Sequence, residues 1–283
     1  MNHPLQTTDH TPPASPDALR YRGHHNARPL LAHLPLLLTL GIVLAMLWHG
    51  PIAQPAHYHA FADNTWWADV PHAGDVISNL GFALVAVWGG WHLAPRRAAI
   101  GAAWFGYRLF LVALLLTAVG STFYHLAPDN FRLLWDRLPI ALACAGLLAA
   151  ARAENGIGGI GGDARSEAAL LALAAVLSVA WWHFTGPEGS GDLRPYLLLQ
   201  LLPIVLIPLW QAIHRSERRD RLLFAAAVLA YVAAKAAELN DHQLLAASAL
   251  VSGHTLKHLL AALASALIVV RPVLRLRARL RAG

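Results

Sequence analysis

Apolar runs long enough to cross a bilayer recur eight times in this chain, and no other feature constrains its fold as tightly. They lie near 30–48, 75–93, 106–126, 133–151, 167–185, 196–213, 221–239 and 248–270. A helix rises about 1.5 Å per residue, so roughly 20 apolar residues span about 30 Å of hydrocarbon. Lipid offers no hydrogen bonds, so each run must satisfy its own backbone, which a helix does. The expected fold is all-α, a polytopic membrane helical bundle with a seven-helix core and one extra N-terminal transmembrane helix. Residues 1–29 read as a disordered cytoplasmic tail rich in Pro, with His3, His10, His24 and His25 solvated. Residues 30–48 form the extra span, and 49–283 the seven-transmembrane domain. The first run is long for a signal peptide and contains Pro35, which favours a retained span over a cleaved one. Pro203 and Pro208 predict a kink in the sixth.

Charge fixes the expected orientation. Only 13% of residues are charged, against about 25% in soluble domains. The net charge of +6 is not a nucleic-acid footprint, because the basic residues fall in short loops on alternate sides of the runs. With the N-terminus inside, 17 arginines lie on the cytoplasmic side and three (Arg132, Arg137 and Arg194) on the other; Lys235 and Lys257 lie within spans, which completes the 22. This asymmetry follows the positive-inside rule and places both termini in the cytoplasm. Arg outnumbers Lys 20 to 2, a bias that suggests a GC-rich bacterium and hence the inner (plasma) membrane. The lone Cys144 excludes a disulfide framework.

Given that orientation, polar residues from three distant runs share one depth. Ser121 and His125 end the third run, Asp136 opens the fourth after the Pro128-Asp129-Asn130 turn, and His254 and His258 lie near the start of the eighth. All face the extracytoplasmic side. His254 and His258 are spaced i, i+4, one turn apart on one helical face, so both can chelate one ion. His125 is the candidate third ligand. Three imidazoles and an open position suit catalytic zinc, which lowers the pKa of a bound water to about 7. Asp136 is the candidate proton carrier. Ser121 is placed to donate to Asp136, to the water or to a developing oxyanion. Taken singly, each histidine reads more readily as a helix-packing hydrogen bonder than as a ligand; five such groups at one depth are costly to bury without a function.

These residues resemble a known family. Ser-x-x-x-His ending one span, Asp opening the next and His-x-x-x-His in the last mark the alkaline ceramidase and adiponectin-receptor superfamily of membrane hydrolases. Asp75-Val76-Ile77-Ser78-Asn79-Leu80, Leu133-Leu134-Trp135-Asp136-Arg137-Leu138-Pro139 and Gly253-His254 resemble alkaline ceramidases and bacterial phytoceramidase-like relatives in particular. The resemblance covers about 58–270. It implies zinc (Zn2+) on His125, His254 and His258, with Ser121 and Asp136 around the zinc water, and hydrolysis of a ceramide-type lipid to a sphingoid base and a fatty acid. One departure concerns calcium (Ca2+). Eukaryotic alkaline ceramidases carry an acidic segment including a Glu before the first core span. The corresponding loop here contains Asp63, Asn64 and Asp69 but no Glu. These three are the candidate oxygen ligands.

Two rivals stand beside the hydrolase. One is a receptor or regulator of adiponectin-receptor or haemolysin-III type with structural zinc. The other is a metal or proton transporter. Clustering of the polar groups at one depth argues against the transporter. Lys235 and Glu238 are expected to pair across i, i+3, and Lys257 either snorkels outward or pairs with an acid. Trp66, Trp67, Trp181 and Trp182 fit an interfacial belt. Lipid specificity and oligomeric state are not encoded in any motif.

Overall fold

The computed structural model describes residues 29–158, 162–186 and 191–282. The tail expected to be disordered, with its four histidines, lies outside the described residues apart from Pro29. Eight helices are long and apolar enough to cross a membrane: Leu31–His49, Ala73–Ile100, Ala103–Leu126, Asn130–Glu154, Ala164–Phe184, Arg194–Ile213, Arg218–Leu239 and Gly253–Arg281. They mark an integral membrane protein, an all-α bundle, and are the first to eighth spans below. The buried core draws on the second to eighth spans and on Phe61 of the first loop, and on no described residue of the first span. That first helix instead exposes Leu36, Leu37, Leu44 and Leu47 by about 60% each. Such a surface suits lipid rather than water. It is tied to the sixth span: Arg194 Nη1 donates to the Met46 carbonyl at 3.3 Å. The linker after it is held as well, with Ile52 N–H donating to Asp192 Oδ1 at 3.1 Å and Leu193 N–H to the Ile52 carbonyl at 2.8 Å.

Local chemistry shapes the ends that carry polar residues. In the second span, Ala73–Ser78 and Leu80–Leu93 are separate helical segments around Asn79. The Asn79 N–H turns to the Val76 carbonyl, and the freed Asp75 carbonyl accepts from the side chains of Ser78 and Asn79, both at 3.0 Å. Ser and Asn compete with the helix ladder in this way. The sixth helix runs continuously from Arg194 to Ile213 through Pro203 and Pro208.

Two expectations are corrected. The eighth span starts at Gly253 rather than near 248, because Asp241–Ser248 forms its own short helix, ended by Ala249 at φ 56°. The chain then turns so tightly that a Cβ on Gly253 would lie 2.1 Å from the Ala237 carbonyl oxygen and 2.6 Å from Asp241 Cα. Ser252 caps the new helix, accepting from Thr255 N–H at 2.9 Å. Arg137 and Arg271, counted above as loop charges, are each only 2% exposed. Arg271 pairs with Glu154 and donates to Tyr107 Oη at 2.9 Å. Arg275 bridges Glu154 and Asp220, so an ionic cluster closes the end of the bundle opposite the histidines.

Candidate metal centre

The third and fourth spans set two of the candidate groups against each other. Pro139 has no N–H to give the carbonyl of Trp135, four residues back, so that oxygen is free to project sideways. It projects at Gly120: a Cβ there would lie 2.0 Å from Trp135 O. Only hydrogen fits, and the two helices close together one residue from Ser121 and Asp136. The Ser121 hydroxyl is thereby brought beside the Asp136 carboxylate. Both are buried.

His125, one turn beyond Ser121, meets His254 and His258 of the eighth span. Each histidine offers one nitrogen, and these three atoms lie within 4.8 Å of one another. The ring centroids are 4.8 to 5.0 Å apart. All three rings are buried, His125 completely. Neither His125 nitrogen has a hydrogen-bond partner. A neutral imidazole always carries one donor and one acceptor, so this ring lacks two partners, and a cation among the three nitrogens would supply one. The site therefore fits a metal ion on the chemistry of its donors. His258 is already oriented: its Nδ1 hydrogen-bonds the Asp75 carbonyl at 3.0 Å and Ser78 Oγ at 2.9 Å. With Nδ1 as donor, the Nε2 lone pair is free.

His254 differs. Its Nε2 lies 3.0 Å from Lys257 Nζ, so an ammonium and a metal ion compete for that lone pair. Glu238 gives Lys257 another seat at 2.7 Å and also holds Lys235 at 2.8 Å. The Lys235–Glu238 pair was expected; Lys257 pairs with the same acid rather than snorkelling.

Two carboxylates matter here that the sequence did not single out for the site. Asp75 Oδ1 accepts from Thr255 Oγ1 at 2.6 Å and Ser252 Oγ at 3.1 Å. Its Oδ2 is buried without a partner, 4.0 Å from His125 Nδ1. Carboxylates behind metal-binding histidines fix the ring and raise its basicity. Asp241 ties the loop to the eighth span, accepting from His254 N–H at 2.7 Å and Ala62 N–H at 2.8 Å. The loop so held lays Phe61 over His125 and His254, with centroids 4.7 and 4.5 Å away.

The candidate calcium ligands behave differently from the histidines. Asp63 is buried, and its oxygens accept from Thr65 N–H at 3.0 Å, Thr65 Oγ1 at 2.6 Å and Asp75 N–H at 3.0 Å. Burial pushes its carboxyl up, but these bonds outweigh burial and leave it below the usual carboxylate value. Asn64 and Asp69 are exposed, and Asp69 occupies a left-handed position at φ 63° in the turn between the two-residue strands β1 (Trp66–Trp67) and β2 (Val70–Pro71). The Asp63 carboxylate thus serves to pin the loop to the start of the second span. Among the expected belt tryptophans, Trp66, Trp67 and Trp181 are exposed, whereas Trp182 is fully buried.

A cavity of about 280 Å³ opens inside the bundle. Ser121, His258 and Lys257 are among its polar lining residues, and Leu147, Phe224 and Ile268 among its apolar ones. Comparison with known proteins adds nothing to this geometry: no protein-family model, curated protein or solved structure matches the chain.

Proposed function

We propose that the protein is a zinc-dependent membrane hydrolase that cleaves the amide bond of a ceramide-type lipid, releasing a sphingoid base and a fatty acid. The observation that carries this reading is the buried three-histidine cluster, one member of which, His258, lines a largely apolar cavity. The motif resemblance supports it, and the Arg distribution supports an extracytoplasmic site with both termini inside.

His125, His254 and His258 would hold the zinc, and when bound it would supply Lewis acidity for a water molecule and for the amide carbonyl. The chain's own groups do the rest. The amide carbon gains an oxygen from water and loses its bond to nitrogen, so one proton must move from the water to the departing amine. Asp136 is the proton carrier: its carboxylate accepts the water's proton and returns it to nitrogen as the C–N bond breaks. Ser121, beside that carboxylate, is the group whose hydroxyl would donate to it or to the developing oxyanion. Phe61 covers the histidines and limits access of bulk water. The cavity takes the acyl chain.

The test is ceramide turnover by purified protein, followed by mass spectrometry of released fatty acid, with zinc measured on the same samples. Asp136→Asn is expected to slow release by a factor of about 100 or more while zinc content stays unchanged. No release by zinc-loaded wild type, or equal release by wild type and variant, would refute the proposal.

A further inference from the structure

Arg137 follows Asp136 by one residue, about 100° further round the fourth helix, and points into a different environment. Its guanidinium carbon sits over three aromatic rings, 4.1 Å from the Trp182 centroid, 4.9 Å from Tyr58 and 5.6 Å from Tyr196. The residue is 2% exposed, and both Nε and Nη1 are buried without a hydrogen-bond partner. Among the described residues no carboxylate lies within ion-pair distance of it; Asp136 acts on it only through space. The other buried arginine near a bundle end, Arg271, has Glu154. Guanidinium groups stay charged in proteins, and a buried charge left unpaired is costly. Aromatic faces offset part of that cost but accept no N–H hydrogen bonds of ordinary strength. Arg137 lines the same cavity as Ser121 and His258. Three cations line that cavity (Arg137, Lys235 and Lys257) against one carboxylate, Glu238. Glu238 contacts both lysines, so Arg137 is the one of these three cations with no carboxylate at ion-pair distance.

We infer that Arg137, in its cage of Tyr58, Trp182 and Tyr196, is an anion subsite that binds an acidic group on the amine half of the lipid substrate. This deepens the amide-hydrolase reading and rests on it for the ligand's amide, though not for its charge. Two sources could supply the anion, a substrate's acidic head or the carboxylate of released fatty acid. The placement favours the first. The acyl carboxylate forms at the histidines of the third and eighth spans, whereas the cage is built by the fourth, fifth and sixth spans and the first loop. A substrate anchored there presents a second polar point distinct from its amide.

Equilibrium binding of three probes of one chain length separates these outcomes: N-palmitoylglycine, with a carboxylate on the amine half, N-palmitoylethanolamine, its neutral counterpart, and palmitate. Full-length protein is used as purified and again after chelation, so that carboxylate affinity for a metal does not count. Wild type is expected to bind N-palmitoylglycine about tenfold or more tighter than the neutral amide in both preparations. Arg137→Gln should abolish that preference without weakening the neutral amide. Arg137→Lys, which keeps the charge and loses the planar fork, should retain part of it and controls for folding alongside monodisperse elution. Equal binding of charged and neutral amides by wild type would overturn the inference. So would a preference that survives Arg137→Gln, or an Arg137-dependent gain confined to palmitate. Because the readout persists after chelation, its failure leaves the zinc proposal standing, and absence of zinc leaves this readout interpretable.

Discussion

Burying the His125 ring with neither nitrogen hydrogen-bonded costs on the order of 1–3 kcal/mol per unmet group, a cost that coordination to a metal relieves. Asp75 should therefore matter to metal binding although it is not a ligand. Its backbone carbonyl fixes the His258 ring, and its free Oδ2 faces His125. Asp75→Asn keeps the shape and removes the charge; zinc affinity measured by competition with a chromophoric chelator is expected to fall about 10- to 100-fold. Asp241→Ala frees two buried backbone N–H groups, of Ala62 and His254, and should lower unfolding stability by about 2–4 kcal/mol in a denaturant titration. The three-histidine cluster was legible because spacing and depth are properties of short stretches. Asp75 and Asp241 were not, since each acts on partners up to about 180 positions away. Arg137 was read as a loop charge because nothing local shows that three rings from separate segments enclose it.

At the scale of elements, the third and fourth helices meet where Gly120 receives the carbonyl left free by Pro139. Gly120→Ala places a methyl group against backbone, so relief requires helix separation next to Ser121 and Asp136. Overpacking of this kind typically costs about 1–3 kcal/mol or more, and turnover is expected to fall more than thermal stability, measured as kcat beside Tm. The connection near the start of the sixth helix gives a pH-dependent check. Burial pushes the Asp192 carboxyl up, but hydrogen bonds from Arg194, Ile52 and Trp181 outweigh it and hold it at about 2, below its ordinary 3.8. A depressed carboxyl stabilises fully above its unfolded value and stops doing so as pH falls through its folded one. Protection of the Ile52 amide, measured by hydrogen exchange and corrected for intrinsic rate, should thus drop between about pH 4 and 2. Asp192→Asn should flatten that profile. Helix existence was legible from run length alone. The separate Asp241–Ser248 helix was missed because a contiguous apolar pattern hid the turn that Ala249 and Gly253 make.

For the whole molecule, the histidine cluster and the Arg271–Glu154–Arg275–Asp220 cluster close opposite ends of one bundle. Glu154→Ala leaves Arg271 buried without its acid and should cost about 3–5 kcal/mol, with zinc content unchanged because the two ends are independent. The orientation implied by Arg placement is open to direct labelling. In a Cys144→Ala background, Thr65→Cys should react with an impermeant maleimide from outside intact cells and Ser216→Cys only after lysis. The most direct measurement of the central claim is zinc stoichiometry of the purified full-length protein and of His125→Ala, His254→Ala and His258→Ala by inductively coupled plasma mass spectrometry. The expected result is close to one zinc per chain in wild type and loss in each variant, with helical content retained. Wild type that stays empty after zinc loading, or variants that bind as much as wild type, would contradict the assignment of these three histidines as the metal site.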